Sequence, residues 1–287
     1  MRVFLTGGTG SIGSSVVTAL LENGHEVVAL ARSDGAERKL VDAGCRVVRG
    51  DIAEAGVWMP AVTDIDGVIH LASTFGPDMA SADAAFVDAL CDWGQGRGGK
   101  TPVIYTGGIW DYGPVGDNTA IEGSPFDPPP DFAYSLIHRA RLFDAPELST
   151  RIVHPAMVWS NTGGVIEEFI AQAKRGEAIK VTGSMSVRWP LVHCDDLSRL
   201  YVLALEKGTA NTDYHGVAQR GVEVGAIASA IAERFHAPGP VVQPVEEAVA
   251  ELGSWAACRA YDQTMDAPLT RARLGWTPVC PDILSVF

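Results

Sequence analysis

Gly7, Gly10 and Gly13 stand near the start of the chain at the spacing by which a backbone can close on phosphate oxygens. In a strand–turn–helix unit, Gly7 lets the chain turn sharply, Gly10 lets backbone approach a pyrophosphate, and Gly13 lets the helix pack closely on a sheet. Backbone N–H groups at the helix start then hold the anion. Spacing alone is a weak signal, so the flanks decide. Val3, Phe4 and Leu5 form an apolar run before the glycines, a helical pattern follows to about Gly24, and a second apolar run covers residues 27–30. That order predicts a dinucleotide-binding unit. Arg32 falls just beyond the second run, where an acidic residue would accept hydrogen bonds from the ribose of NAD. An arginine there pairs with the 2′-phosphate of NADP, so NADP is expected; NAD stays compatible through Asp34.

Other reactive side chains read more plainly. His70 lies inside an apolar run, which favours a satisfied core histidine. His193 with Asp195 and Asp196 suggests a ligand cluster, but Asp195 reads as the N-cap of the next helix, and no metal is expected. The five cysteines, at 45, 91, 194, 258 and 280, are odd in number and widely spaced, which fits reduced, mostly buried thiols. An excess of 35 acidic over 22 basic residues gives a charge of −13 and argues against nucleic acid as the main partner. No apolar run is long enough to span a membrane, and the N-terminus enters a strand directly without a signal-peptide layout. A cytoplasmic protein with a small-molecule substrate and no membrane partner is expected.

The elements that must position these residues follow in order. A helix is expected over 35–43 and a strand over 46–49 leading to Asp51 and Ile52. A buried strand over 67–72 follows, with Ser73 and Thr74 at its carboxyl end, the edge where open α/β sheets bind ligands. Residues 78–93 carry Met79, Ala82, Phe86, Leu90 and Trp93 near one helical stripe, broken by glycines at 94, 96, 98 and 99. A fifth strand over 102–106 runs into Gly107 and Gly108, and the proline-rich stretch 113–132 reads as a wall or lid over a cleft. A helix over 134–145 and a sixth strand over 151–158 follow. Later segments read as helices at 165–174, 195–206 and 224–235, with strands at 179–182 and 214–218. The alternation predicts an α/β fold, a doubly wound parallel Rossmann sheet over 1–158 with a return segment at about 188–218. A smaller C-terminal substrate lobe is expected from 159–187 and 219–287. Trp110, Trp159 and Trp189, with Tyr112, are candidates either for a substrate pocket or for the core, and Arg188 for an anion or sugar-phosphate contact.

Along nearly its whole length the chain resembles the extended short-chain dehydrogenase/reductase family, the NAD(P)-dependent epimerase/dehydratase group. The residues that carry the resemblance are the stretch from Thr6 to Gly13, Gly50-Asp51-Ile52, His70-Leu71-Ala72, Tyr112-Gly113, Tyr134, His154-Pro155, the stretch from Val192 to Leu197, and Gly275-Trp276-Thr277-Pro278. The resemblance implies cofactor contacts from Gly7, Thr9, Gly10, Ser11, Ile12 and Gly13, with Asp51 and Ile52 flanking the adenine. It places Leu71, Ala72 and Ser73 along the cofactor and Pro155 near the nicotinamide. It further implies an oxidoreductase or epimerase acting on a carbonyl or hydroxyl of a small substrate, sugar derivatives included, and a homodimer through the helices at 78–93 and 134–145.

The catalytic positions depart from the family pattern. Family enzymes use a Ser or Thr after the fifth strand and a Tyr followed four residues later by Lys. Tyr134 fits the tyrosine, but His138 stands in place of the lysine, and the hydroxyl position falls at Gly107 or Gly108, leaving Thr106 nearest. A phenol with a reference pKa near 10 needs a nearby cation to work as a base at neutral pH, and an ordinary imidazole is mostly uncharged there. The resemblance thus makes Tyr134 the acid/base, His138 its altered partner and Thr106 the group that orients the substrate oxygen. The alternative is a dinucleotide-binding regulator or sensor that keeps the fold without the chemistry.

Overall fold

A computed structural model of the chain describes residues 1–161 and 163–287. Strand β1 (Arg2–Thr6) leads through the glycine turn to α1 (Gly13–Glu22), β2 (Glu26–Ala31), α2 (Asp34–Asp42) and β3 (Arg46–Arg49). Next come α3 (Ala55–Trp58), β4 (Gly67–His70), α4 (Met79–Gln95), β5 (Thr101–Thr106), α5 (Tyr134–Phe143) and β6 (Leu148–Pro155). The later half contains β7 (Met157–Trp159), α6 (Glu167–Lys174), β8 (Lys180–Thr182), β9 (Arg188–His193), α7 (Cys194–Lys207) and β10 (Thr212–Gly216). It closes with β11 (Gln219–Glu223), α8 (Val224–Arg234), β12 (Val241–Gln243), α9 (Val245–Leu252), α10 (Pro268–Leu274) and α11 (Ile283–Val286).

Seven strands form one sheet in the order β10-β6-β5-β4-β1-β2-β3, every pair parallel. This is the doubly wound Rossmann arrangement. Its strand order reverses between β1 and β4, which leaves a crevice at their carboxyl ends. Val3, Phe4 and Leu5 are fully buried because helices cover both faces of the sheet. On one face Val16 and Leu20 of α1 pack with Leu197 and Leu200 of α7, and this core runs on into Phe169, Trp189 and Ile227 of the later half. On the other face Phe86 and Leu90 of α4 pack with Trp58, Leu142 and Ile152. The apolar stripe of α4 therefore faces the chain's own sheet.

Several boundaries differ from expectation for physical reasons. Helix α4 does not break at Gly94, which is buried where Leu148 Cδ2 would lie 2.9 Å from an added Cβ. The sixth strand ends at Pro155; Ala156 bonds to Gly216 O at 3.0 Å, and β7 joins β9 and β11 in a separate three-stranded sheet. The 188–193 segment is a full strand of that sheet, and 212–216 returns to the large one. The stretch 113–132 is stitched to the C-terminal segment: the Glu122 carboxylate accepts from Leu269 N and Thr270 N at 3.2 and 2.8 Å. Gln263 Nε2 donates to Ile109 O and Gly113 O at 2.9 and 2.6 Å. Four of the five cysteines are buried and all are unpaired thiols. Among the described residues, no helix is long and apolar enough to cross a membrane.

Candidate active site

At the end of β1, Gly7 takes φ +74°, a left-handed turn that also brings it against Leu71 and Ala72, just beyond β4. A Cβ at Gly7 would lie 2.7 Å from Ala72 N, and one at Gly13 would lie 2.1 Å from Gly7 O. Both positions are closed to any side chain. No side chain caps the start of α1, so its helix-start N–H groups, apart from Ser14 N, which bonds to Gly10 O at 3.1 Å, can face an anion. Gly7, Gly10, Ser11, Ile12 and Gly13 line one end of a cleft of about 700 Å³ that continues past Leu71, Ala72, Ser73 and Pro155 to Tyr134. Its floor is the carboxyl edge of β1, β4 and β5.

A buried carboxylate organises the Tyr134 end. Asp83 projects from α4 and is reached by His70 Nε2 at 2.9 Å, Tyr105 Oη at 2.7 Å and His138 Nδ1 at 2.5 Å. Burial works against its charge, but the hydrogen bonds from His138, His70 and Tyr105 prevail and hold the carboxyl well below the usual range. The donors can be assigned. Thr6 Oγ1 already accepts from Leu71 N and Ala72 N at 3.2 and 3.3 Å, so its own proton goes to His70 Nδ1 at 2.7 Å, and His70 Nε2–H donates to Asp83. The network ties the glycine turn to α5. One helical turn before His138, with ring centroids 5.4 Å apart, stands Tyr134. Burial and the charges of Asp83 and Asp111 push its phenol well above 10, while a hydrogen bond with Ser73 pulls weakly the other way. Tyr134 is therefore held as a hydrogen-bond donor.

A second buried network lies behind Gly107. His154, at the end of β6, has Nε2 3.1 Å from Asp213 Oδ1 and Nδ1 3.3 Å from Asp111 Oδ2. Arg139 Nε donates to Asp213 Oδ1 at 2.7 Å, and its second nitrogen reaches the other oxygen. Burial favours a neutral His154 ring, but the two carboxylates outweigh it and push the ring up to about 9. Asp111 also accepts from Ser135 Oγ at 2.6 Å and Gly108 N at 3.1 Å. Beyond it, burial and the charge on His154 push His215 down to about 4. His215 Nδ1–H donates to Asp266 O at 2.9 Å, and Nε2 accepts from Tyr112 Oη at 2.6 Å. A Cβ at Gly107 would lie 2.6 Å from His154 Nδ1 and 3.0 Å from Asp111 Oδ2; at Gly108 the nearest atom, Trp110 N, is 4.0 Å away. The imidazole fills the space a side chain at 107 would need.

With this geometry, a family model described as the NAD dependent epimerase/dehydratase family matches residues 3–215. The chain belongs to this family. An uncharacterised protein of Schizosaccharomyces pombe is 32% identical over 285 residues, covering 97% of this chain and 95% of that protein. Among solved structures, a UDP-glucose 4-epimerase from Thermotoga maritima crystallised with UDP-glucose superposes with a TM-score of 0.82 at 20% identity, covering 100% of this chain and 96% of the other. A dTDP-glucose 4,6-dehydratase from Streptomyces venezuelae with NAD bound gives 0.83 at 20% identity, covering 98% of this chain and 92% of the other. At that identity the likeness is one of fold.

Within the family framework, the expected cofactor residues divide into two places. The glycine turn, Leu71, Ala72, Ser73 and Pro155 line the cleft. Arg32 and Asp51 sit together beyond β2 and β3, 3.8 Å apart, with the Arg32 side chain 72% exposed; Thr9 is exposed in the glycine turn and Ile52 is buried. Thr106 lines the cleft, but its hydroxyl is committed: it donates to His70 O at 2.7 Å and pairs with Tyr201 Oη at 2.8 Å. The single proton is spent on backbone, so Thr106 has no donor left for a substrate oxygen.

Of the other candidates, Trp110 lines the cleft, whereas Trp159 and Trp189 are core residues and Tyr112 is buried against His215. Arg188 does not reach the cleft as an anion contact, because it is paired with Asp262 at 2.6 Å. Asp195 is not the N-cap of α7; His193 fills that role, its ring accepting from Asp195 N at 3.3 Å. His193, Cys194 and Asp195 do bring ligand atoms within 4.8 Å of one another. Sequence reasoning missed Asp83, Asp111, Phe75, Phe132 and Trp255. The one available signal was Asp83 beside the apolar stripe of α4.

Proposed function

We propose that the chain is an NADP-dependent oxidoreductase that reduces the carbonyl group of a small substrate. One observation carries the reading: the side-chain-free glycine turn and the Tyr134 hydroxyl open onto the same cleft. A bound nicotinamide dinucleotide supplies the hydride for the carbonyl carbon, and the oxygen then takes a proton. Backbone N–H groups of the first turn of α1 hold the pyrophosphate, and Arg32 meets the 2′-phosphate.

Tyr134 donates to the substrate oxygen as negative charge develops there, with the Ser73 hydroxyl beside it in the role expected of Thr106. His138, fixed through Nδ1 by Asp83, stands one turn from Tyr134 on the same face of α5, and a proton from solvent restores the phenol. An epimerase must also withdraw a proton from a hydroxyl. A phenol held protonated between burial and two carboxylates is poorly suited to that, which favours reduction.

The Tyr134→Phe variant tests this. Carbonyl-dependent oxidation of NADPH should fall at least about a hundredfold, the order of a lost general acid, while NADPH affinity measured by fluorescence stays within about twofold. Turnover equal to wild type removes Tyr134 from the mechanism. A second reading, a cofactor-binding regulator, is favoured by the imidazole in place of lysine and by the absence of room for a side chain at Gly107. It calls for NADPH binding with no oxidation across a carbonyl panel, and no gain from His138→Lys.

A further inference from the structure

We infer that the substrate is a neutral ketone or aldehyde carrying a flat apolar group, held by the aromatic side chains of Phe75, Trp110, Phe132 and Trp255, and not a diphosphate-linked sugar. The inference rests on the reductase reading and names the substrate class for that site.

The four rings come from four separate segments and converge on the cleft beyond Tyr134. Trp110 is 5.1 Å from Phe132 and 6.0 Å from Trp255 between centroids, and Phe75 meets Trp255 edge-on at 5.5 Å. Ser254 Oγ donates to Asp131 Oδ1 at 2.9 Å, which fastens the turn that carries Phe132 to the segment that carries Trp255. Phe75 is 51% exposed and holds φ +49°, a left-handed conformation costly for a bulky residue. A large apolar ring kept at the surface in a disfavoured backbone, edge-on to Trp255 in a cluster of four rings, is arranged for an apolar ligand.

Charge points the same way. A diphosphate needs cations or free N–H groups. Among the described residues that line the cleft, Arg259 is the one Lys or Arg, and it is paired with Glu168 at 3.0 Å while its guanidinium lies 5.3 Å from the Trp255 ring centroid. Arg188, the other candidate, is bound to Asp262. The floor carries the Asp83 and Asp111 carboxylates; Asp111 is paired with His154, and neither offers a second diphosphate a positive partner. The cleft of about 700 Å³ also includes the dinucleotide end, so the room beyond Tyr134 suits a compact molecule.

The test uses the whole protein with NADPH and two probes, acetophenone and UDP-glucose, each followed by binding (saturation-transfer NMR) and by NADPH oxidation. Acetophenone should bind and UDP-glucose should not. Trp110→Ala and Trp255→Ala should each weaken acetophenone by roughly three- to tenfold, the size of one aromatic contact, with Trp255→Phe restoring most of the loss. Phe75→Ala, at an exposed position, should show the same trend if a tryptophan variant fails to fold. Preferential binding of UDP-glucose, binding of neither probe, or acetophenone affinity unchanged in all three alanine variants would overturn the inference. Acetophenone binding without NADPH oxidation would leave it standing and remove the reductase reading.

Discussion

Replacing Gly107 by Ala should destabilise the protein by about 3 kcal/mol or more, while the same change at Gly108 should cost less than about 0.5 kcal/mol. At Gly107 the new methyl carbon would lie 2.6 and 2.7 Å from two atoms of the His154 ring and 3.0 Å from Asp111 Oδ2. The ring has nowhere to go. It is held between Asp111 and Asp213 and walled by Tyr112 at 5.4 Å and Phe126 at 5.6 Å between centroids. Overpacking alone costs about 1–3 kcal/mol. Swinging His154 away instead leaves two buried carboxylates short of a partner, a loss of about 3–5 kcal/mol when a buried pair is broken. At Gly108 the backbone is extended, with φ −165°, and the nearest atom is 4.0 Å away. The assay is urea unfolding of both variants and wild type at pH 7, comparing midpoints at constant slope. Equal midpoints for the two alanine variants would refute the account of why this chain lacks the family's hydroxyl after β5.

Other outcomes follow from the same networks. Asp83→Asn should cost about 3–5 kcal/mol, because it leaves His70 and His138 without the charge they share; unfolding midpoints check this. Stability should fall on the alkaline side. The folded His154 ring sits at about 9 against an ordinary 6.5, so its contribution, of order 3 kcal/mol, is fully present below pH 6.5 and lost as pH rises through 9. Unfolding at pH 6 and pH 9.5 should show that loss, and His154→Gln should flatten it; a difference preserved in the variant assigns the effect elsewhere. Arg32→Ala should weaken NADPH by about tenfold or more with NADH within about twofold, by fluorescence titration, since a charge-assisted contact is worth roughly 1.5–3 kcal/mol.

The glycine-turn half of the cleft was legible because its physics is local. Gly7 and Gly13 are glycines for reasons contained in a short stretch: a left-handed turn and a helix start packed on that turn. The apolar runs that became β1, β2, β4 and β5 are buried on both faces, and that pattern is written residue by residue. The Tyr134 half was not legible in this way. Asp83 reads as a polar position beside an apolar stripe, and only the meeting of α4 with His70, Tyr105 and His138 turns it into a buried anion with three donors. Arg188 looked free for a ligand until Asp262 was brought to it by the C-terminal segment.

By itself, then, the sequence determined the family, the parallel α/β sheet, the glycine turn and the departure from the Tyr-xxx-Lys pattern at His138, because each rests on short-range spacing or on burial periodicity. The tertiary structure alone decided that Gly107 has no room for a side chain, that the Thr106 proton is already spent, and that Phe75, Trp110, Phe132 and Trp255 share one cleft. Those facts depend on which distant side chains meet, and such meetings are set by the packing of whole elements and not by the chemistry of any one segment.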